Sequence, residues 1–217
     1  MRDRYVVHGG AGTGSVAVEA ALTLMGLPYE VIETAALAGR PRDDALARVN
    51  PMRQVPALIL PSGELMTESA AILIWLADDH PEARLSPTMA AATRPAFLRW
   101  MAFVASAIYA LCWIRDDPSR VTADADEAAR VKARLGARIS HCWAVMDAGV
   151  DPGRYILGEE LSVLDLYVTV ISRWAERRRR FYEVAPKLAR VVRRVDAEPR
   201  LADLWARRFP FVDGWEG

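Results

Sequence analysis

The chain has 217 residues, 52% hydrophobic and 26% charged, a composition that builds a packed core and excludes general disorder. Its 28 basic and 28 acidic side chains cancel, which argues against a protein built mainly to bind nucleic acid. Two distant cysteines, Cys112 and Cys142, give neither a disulfide framework nor a metal-ligand spacing. The longest apolar run, Trp100 to Ile114, falls short of the ~20 residues that cross a bilayer, and the N-terminal segment lacks a signal-peptide core. A cytoplasmic protein with no metal, nucleic-acid or membrane partner is the expectation.

In chain order, Tyr5 to His8 reads as a short strand, Gly9 to Gly14 as a loop, and Ser15 to Met25 as an amphipathic helix that ends at Gly26. Tyr29 to Glu33, rich in β-branched residues, is a second strand. Strand, glycine-rich turn, helix and strand form a βαβ unit, which implies a parallel pair. A short helix is expected near Asp44 to Val49. Ala57 to Leu60 and Glu64 to Met66 flank Pro61-Ser62-Gly63, a hairpin signal, and Glu68 to His80 is a helix stopped by Pro81. Strand signals then vanish. Helices are expected at Pro95 to Arg115, Asp124 to Gly149, Pro186 to Val195 and Pro199 to Phe209. Another begins at Ser162, where an acid three residues on, Asp165, makes a capping-box variant. Cys112 and Cys142 fall in helices and read as small buried hydrophobes.

The glycine loop lacks the Lys-Ser/Thr pair of a P-loop, and Gly10-x-Gly12-x-Gly14 misses the dinucleotide fingerprint. The four arginines Arg177 to Arg180 are flanked by Glu176 and Glu183 and read as a solvated helix end. The most specific stretch runs from Asn50 to Leu58, NPMRQVPAL, with Thr67-Glu68-Ser69 following. Val55-Pro56 enters a strand where Pro56 offers no donor, which suits a cis bond. Val55 would then present its N–H and C=O to an extended guest, as in β-augmentation. Ser69 suits a helix N-cap, whose free N–H groups would take a carboxylate, and Glu68 beside it would hold an ammonium.

The run NPMRQVPAL followed by TESAAILIWLADDHP resembles the glutathione site of the glutathione S-transferase family. The likeness extends over most of the chain and is strongest in residues 50–81 and 154–167. It implies an α/β thioredoxin-like domain over residues 1–81, a linker over 82–90 and an all-α bundle over 91–217. It further implies glutathione as substrate, held by Arg53, Gln54, Val55, Pro56, Glu68 and Ser69. The thiolate would be stabilised at the start of the Ser15 helix and added to a small apolar electrophile. Tyr109 and Trp113, one turn apart, would wall that electrophile's pocket in the helical domain.

Family members usually place a Tyr, Ser or Cys in the first loop, and here the usual serine position falls on Gly12. Thr13 and Ser15 are the nearest hydroxyls and the catalytic candidates, each with a structural role, loop support or helix cap, as its alternative. No Cys stands in the loop, which disfavours the cysteine-dependent reductase branch. The family's usual assembly suggests a homodimer through the helices at Glu68 to His80 and Pro95 to Arg115, and a detoxification role. A binding or regulatory protein without turnover, or a glutathione-dependent disulfide reductase or isomerase, is the alternative.

Overall fold

The computed structural model describes residues 3–34, 44–174 and 178–210. Its sheet is ordered β2-β1-β3-β4, with β1 Tyr5–Gly9, β2 Tyr29–Glu33, β3 Ala57–Ile59 and β4 Leu65–Met66. β1 pairs parallel with β2 and antiparallel with β3, and β3 pairs antiparallel with β4. β1 is buried along its whole length because strands flank it on both sides, whereas the edge strand β2 leaves Ile32 and two glutamates outside. The last pair is shorter than the sequence suggests. Leu60 already belongs to the turn, its N–H donating to Glu64 C=O.

Helix α1, Ser15–Met25, departs from the amphipathic expectation: it is buried on every face from Ser15 to Leu22. Gly26 ends it in the left-handed region, φ 67°. A short α2, Asp44–Val49, precedes the Asn50 loop, and α3, Ser69–Asp79, packs beside α1. The predicted start of α3 at Glu68 is corrected by one residue, since Glu68 holds φ 65° and ψ 99° and is not helical.

All later elements are helical: α4 Arg94–Phe103, α5 Ala110–Asp116, α6 Ala125–Gly149, α7 Val163–Ile171, α8 Arg179–Val184, α9 Pro186–Asp196 and α10 Ala202–Arg208. The single helix expected from Pro95 to Arg115 is interrupted by a π-helical turn, Val104–Tyr109, between α4 and α5. The run Arg94–Asp116 is long and apolar enough to cross a bilayer by length and composition. Here Phe97, Trp100, Met101, Val104, Ile108 and Cys112 give it a face in the core. Arg94 fixes its start to α3 with a two-pronged bond to Asp78, 2.7 and 2.5 Å.

α7 is the hub. Every residue from Val163 to Ile171 is buried, and the helix packs against α1, α3, α4 and α9, so one hydrophobic core runs through the sheet region and the helices. Its start has the expected capping-box geometry: the Ser162 N–H and hydroxyl donate to Asp165 Oδ2 at 2.8 and 2.7 Å. Asp124 caps α6 through the Glu127 N–H, 2.7 Å. On α6, Ile139, Trp143 and Met146 reach the core as predicted, but Val131 and Leu135 are only half-buried, because the first half of this helix overhangs the core.

The arginine run departs from its reading. Arg178 is fully buried, ion-pairs with Asp196 and donates to the Thr169 C=O at 2.7 Å. Asp196 also faces Arg173 at 3.6 Å, so one acid balances two interior guanidinium groups. Arg179 and Arg180 are exposed, the latter bonded to Glu183 at 2.7 Å, while Glu176 and Arg177 lie outside the described residues.

Candidate functional site

The loop between β1 and α1 folds around its own hydroxyls. Thr13 Oγ1 donates to Gly10 C=O at 2.7 Å and lies 2.9 Å from Ser15 Oγ. Ser15 Oγ accepts from the Gly10 N–H at 3.1 Å and donates to Glu19 Oε1 at 3.1 Å. Ser15 is 0% exposed and Glu19 1%, so this network is interior. Arg208 closes it from outside with an Nε–Oε2 contact to Glu19 of 2.8 Å. Burial, opposed by Arg208 and Ser15, pushes the Glu19 carboxyl above its usual range.

Ser15 is thus placed as a structural support of the loop in this structure. Its oxygen faces Glu19 and the Gly10 N–H, and no surface of the residue is open to a ligand. Thr13, 7% exposed, is turned the same way. Gly12 carries the loop's positive φ, 76°, where a serine would be strained. Both its backbone groups are held by the helical region: its N–H donates to Arg208 C=O and its C=O accepts from Trp174 Nε1, each at 2.9 Å.

The Asn50 loop is built by one side chain. Asn50 Oδ1 accepts from the Met52 N–H at 3.1 Å, and Asn50 Nδ2 donates to Gln54 C=O at 2.9 Å. This brace carries the chain through Arg53, φ 54°, to the cis Val55-Pro56 bond and the buried start of β3. Arg53 is exposed, and Gln54 and Val55 are half-buried.

At the start of α3, Glu68 is exposed and Ser69 is 8% exposed. Ser69 is not an N-cap: Glu68 occupies that position without a side-chain cap bond, and Ser69 Oγ instead lies 2.8 Å from the Tyr167 hydroxyl on α7. This is a correction to the capping expectation.

The helices supply three aromatic rings that the motifs do not contain or place. Tyr109, at the end of the π turn, reaches with its hydroxyl to Val55 C=O at 3.4 Å. The phenol lies against Gly14, where a Cβ would run into it. Trp174 meets the Tyr109 ring edge-on, centroids 4.7 Å apart, and Tyr167 lies 6.3 Å away. Burial above all, with Cys112, Glu68 and Asp116 adding to it, pushes the Tyr109 phenol well above its ordinary value. Tyr167 is raised by burial too, with Tyr109 and Glu68 contributing. Both phenols thus remain protonated donors. Trp113, expected beside Tyr109, is 39% exposed with the Arg120 guanidinium 4.1 Å from its ring.

Cys112 lies near these phenols, and burial holds its thiol protonated, pushed up to about 12. Among the described residues no cluster of ligating side chains suits a metal. A separate cleft of about 760 Å³, lined by Arg115, Lys132, His141 and Arg180, lies along α6 and shares no residue with these loops.

The structure gathers Val55, Glu68, Ser69 and Tyr109 at one place and adds Tyr167, Trp174 and Arg208, to which sequence reading assigned no role at the site. Tyr167 had a usable signal, a lone phenol inside the apolar capped helix. Trp174 and Arg208 had none, because their partner is backbone or a loop far along the chain.

Residues 15–79 match the family described as glutathione S-transferase, N-terminal domain. An uncharacterized GST-like protein of Escherichia coli K12, YncG, is 29% identical over 203 residues, 93% of this chain and 97% of that protein. A maleylpyruvate isomerase of Ralstonia is 32% identical over 195 residues, 88% and 89% of the two chains. A glutathione transferase homolog from Sulfitobacter, solved with bound glutathione, superposes with a TM-score of 0.81 at 25% identity, covering 93% of this chain and 97% of that one.

Proposed function

The chain belongs to the glutathione S-transferase family, and on that premise we propose that it binds glutathione, stabilises its thiolate at the start of α1 and adds it to a small apolar electrophile. One observation carries the reading. Three segments far apart in sequence, Gly14 at α1, Val55 before β3 and Glu68-Ser69 at α3, meet around the phenols of Tyr109 and Tyr167.

In this reading the glutathione cysteine lies extended along Val55, its N–H on the Val55 C=O. Glu68 faces the γ-glutamyl ammonium, and the N–H groups at α3 with the Ser69 hydroxyl take the carboxylate. Arg53 and Gln54 meet the glycyl end. The positive end of the α1 dipole lowers the thiol pKa. The protein supplies position and a fixed field, and glutathione supplies the nucleophile. Thr13 and Ser15 act indirectly, by holding the loop that aims those N–H groups. The electrophile lies against Tyr109, with Trp113 at the outer wall. The family's soluble fold fits a cytoplasmic detoxification enzyme, and the exposed Leu65 on β4 and Leu98 on α4 fit a homodimer face whose check is sedimentation at micromolar concentration.

A second reading, a glutathione-binding protein without turnover, draws on the inward-facing hydroxyls of Thr13 and Ser15. Retention on immobilised glutathione followed by conjugation and isomerisation assays separates the two. Retention with turnover supports the enzyme, retention without any turnover supports the binding protein, and no retention removes both.

A further inference from the structure

Every hydroxyl around this site has a partner, but they are not equally committed. Thr13 gives its proton to Gly10 C=O at 2.7 Å, Ser15 is enclosed, and Ser69 and Tyr167 hold each other at 2.8 Å. The O–H bond of Tyr109 to Val55 C=O is 3.4 Å long, far from the ~2.7–2.8 Å mode of such bonds. Its proton is the one most easily redirected.

We propose that Tyr109, a side chain of the helical region, is the hydrogen-bond donor to the glutathione sulfur. This rests on the reading that glutathione binds here. The acceptor that Tyr109 now uses is the Val55 C=O, which the cysteinyl N–H of an extended glutathione would claim. Binding therefore makes the phenol share an acceptor it already holds at long range, and brings in another, the sulfur, beside the first turn of α1.

The surroundings suit that exchange. Gly14 has no Cβ, so the phenol can sit on the helix start itself. The π turn Val104–Tyr109 inserts extra chain at this point and aims Tyr109 inward, a device that recurs at functional sites. Its ring is positioned independently of its hydroxyl: Trp174 packs edge-on at 4.7 Å and is itself anchored to Gly12 C=O. The titratable groups that face the phenol are Glu68 just before α3, Tyr167 from α7, and Cys112 and Asp116 from α5. Burial keeps the phenol protonated. The thiol proton accordingly leaves to solvent, Tyr109 keeps its own, and the sulfur lone pair forms the new bond as an activated double bond of the electrophile opens, its far carbon taking a proton back from solvent.

The test is Tyr109→Phe in the full chain, which keeps the ring packing and removes only the hydroxyl. The bound thiol is titrated by its ultraviolet thiolate absorbance, alongside the pH–rate profile and the affinity for S-methylglutathione, which has no thiol proton. The expected result is a thiol pKa raised by about one to two units, a roughly ten- to hundredfold lower rate at neutral pH that recovers in alkali, and unchanged S-methylglutathione affinity. Normal affinity with an unmoved titration and pH profile would overturn the assignment while leaving the glutathione site intact. Tighter binding with an unmoved titration would make Tyr109 a plug of the empty site instead, and would equally overturn it. A wild-type protein that binds no glutathione would remove the site and the donor together.

Discussion

Two helices begin beside a serine and an acid, and they use them in opposite ways. At α7, Asp165 turns back on its own helix start, taking the Ser162 N–H and hydroxyl and the Ile156 N–H, the last at 2.8 Å. At α3, neither Glu68 nor Ser69 caps the helix. Glu68 sits in the left-handed region with its carboxylate outside, and Ser69 bonds across to Tyr167. A closed start satisfies its own donors and holds a fold together. An open start keeps N–H groups for something the chain does not supply. The backbone cost of Glu68 at φ 65°, of order 1–3 kcal/mol for a non-glycine residue, fits a position kept for a ligand.

The comparison breaks most clearly in stability. Asp165→Ala leaves three buried donors without acceptors, and the expected loss is about 3–5 kcal/mol in urea unfolding. Ser69→Ala leaves one phenol short of a partner and should cost about 1 kcal/mol, yet weaken glutathione binding severalfold. Equal destabilisation by the two substitutions would show that both starts are structural.

Acid titration sharpens the closed start. Burial raises the Asp165 carboxyl to about 6, against its three donors, from an unfolded value of about 3.9. The folded protein thus binds this proton more tightly than the unfolded chain. Its contribution is fully present below pH ~4 and is lost as pH rises to ~6, a change of roughly 3 kcal/mol. Asp165→Asn should remove that slope from the difference in unfolding free energy between pH 4 and 7. A difference curve that stays flat would mean the three donors offset burial and keep the carboxyl no higher than its unfolded value.

At the open start the readout is affinity. Glu68→Gln removes a charge from an exposed residue, so stability should hold while glutathione binding falls about ten- to a hundredfold, the ~1.5–3 kcal/mol of a charge-assisted hydrogen bond. Calorimetric titration with glutathione checks it. Unchanged affinity in the folded variant would remove the ammonium dock.

The element order and the parallel βαβ pair were legible because local signals agreed: β-branched strands, glycine at helix ends, and an apolar period of 3.6. Ser162 with Asp165 was legible because both partners lie within one turn. What escaped the sequence was tertiary. The π turn has no local signature, yet it aims Tyr109 at Gly14. Trp174 acts on a backbone carbonyl 162 positions away, and Arg208 on a glutamate 189 positions away. Burial also overrode charge at Arg178, which a run of four arginines flanked by acids hides.

The smallest expected effect concerns Thr13, the hydroxyl nearest in sequence to the expected thiolate. Its proton is on Gly10 C=O, and its oxygen also accepts from the Ser15 N–H at 3.3 Å. Thr13→Val keeps the shape and removes these bonds, at a cost of about 1 kcal/mol in stability. The bound sulfur would lose nothing directly, because this hydroxyl has no proton to spare for it. The pH–rate profile of Thr13→Val should therefore overlay that of the wild type, with kcat changed no more than a few-fold by loosening of the loop. A bound thiol pKa raised as far as Tyr109→Phe is expected to raise it would reverse the assignment. Thr13 would then have to turn outward when glutathione arrives, giving up a 2.7 Å bond to Gly10 for one to sulfur, while Tyr109 kept its 3.4 Å bond to Val55. That exchange breaks the shorter bond and spares the longer one, and the Tyr109 route asks for the opposite.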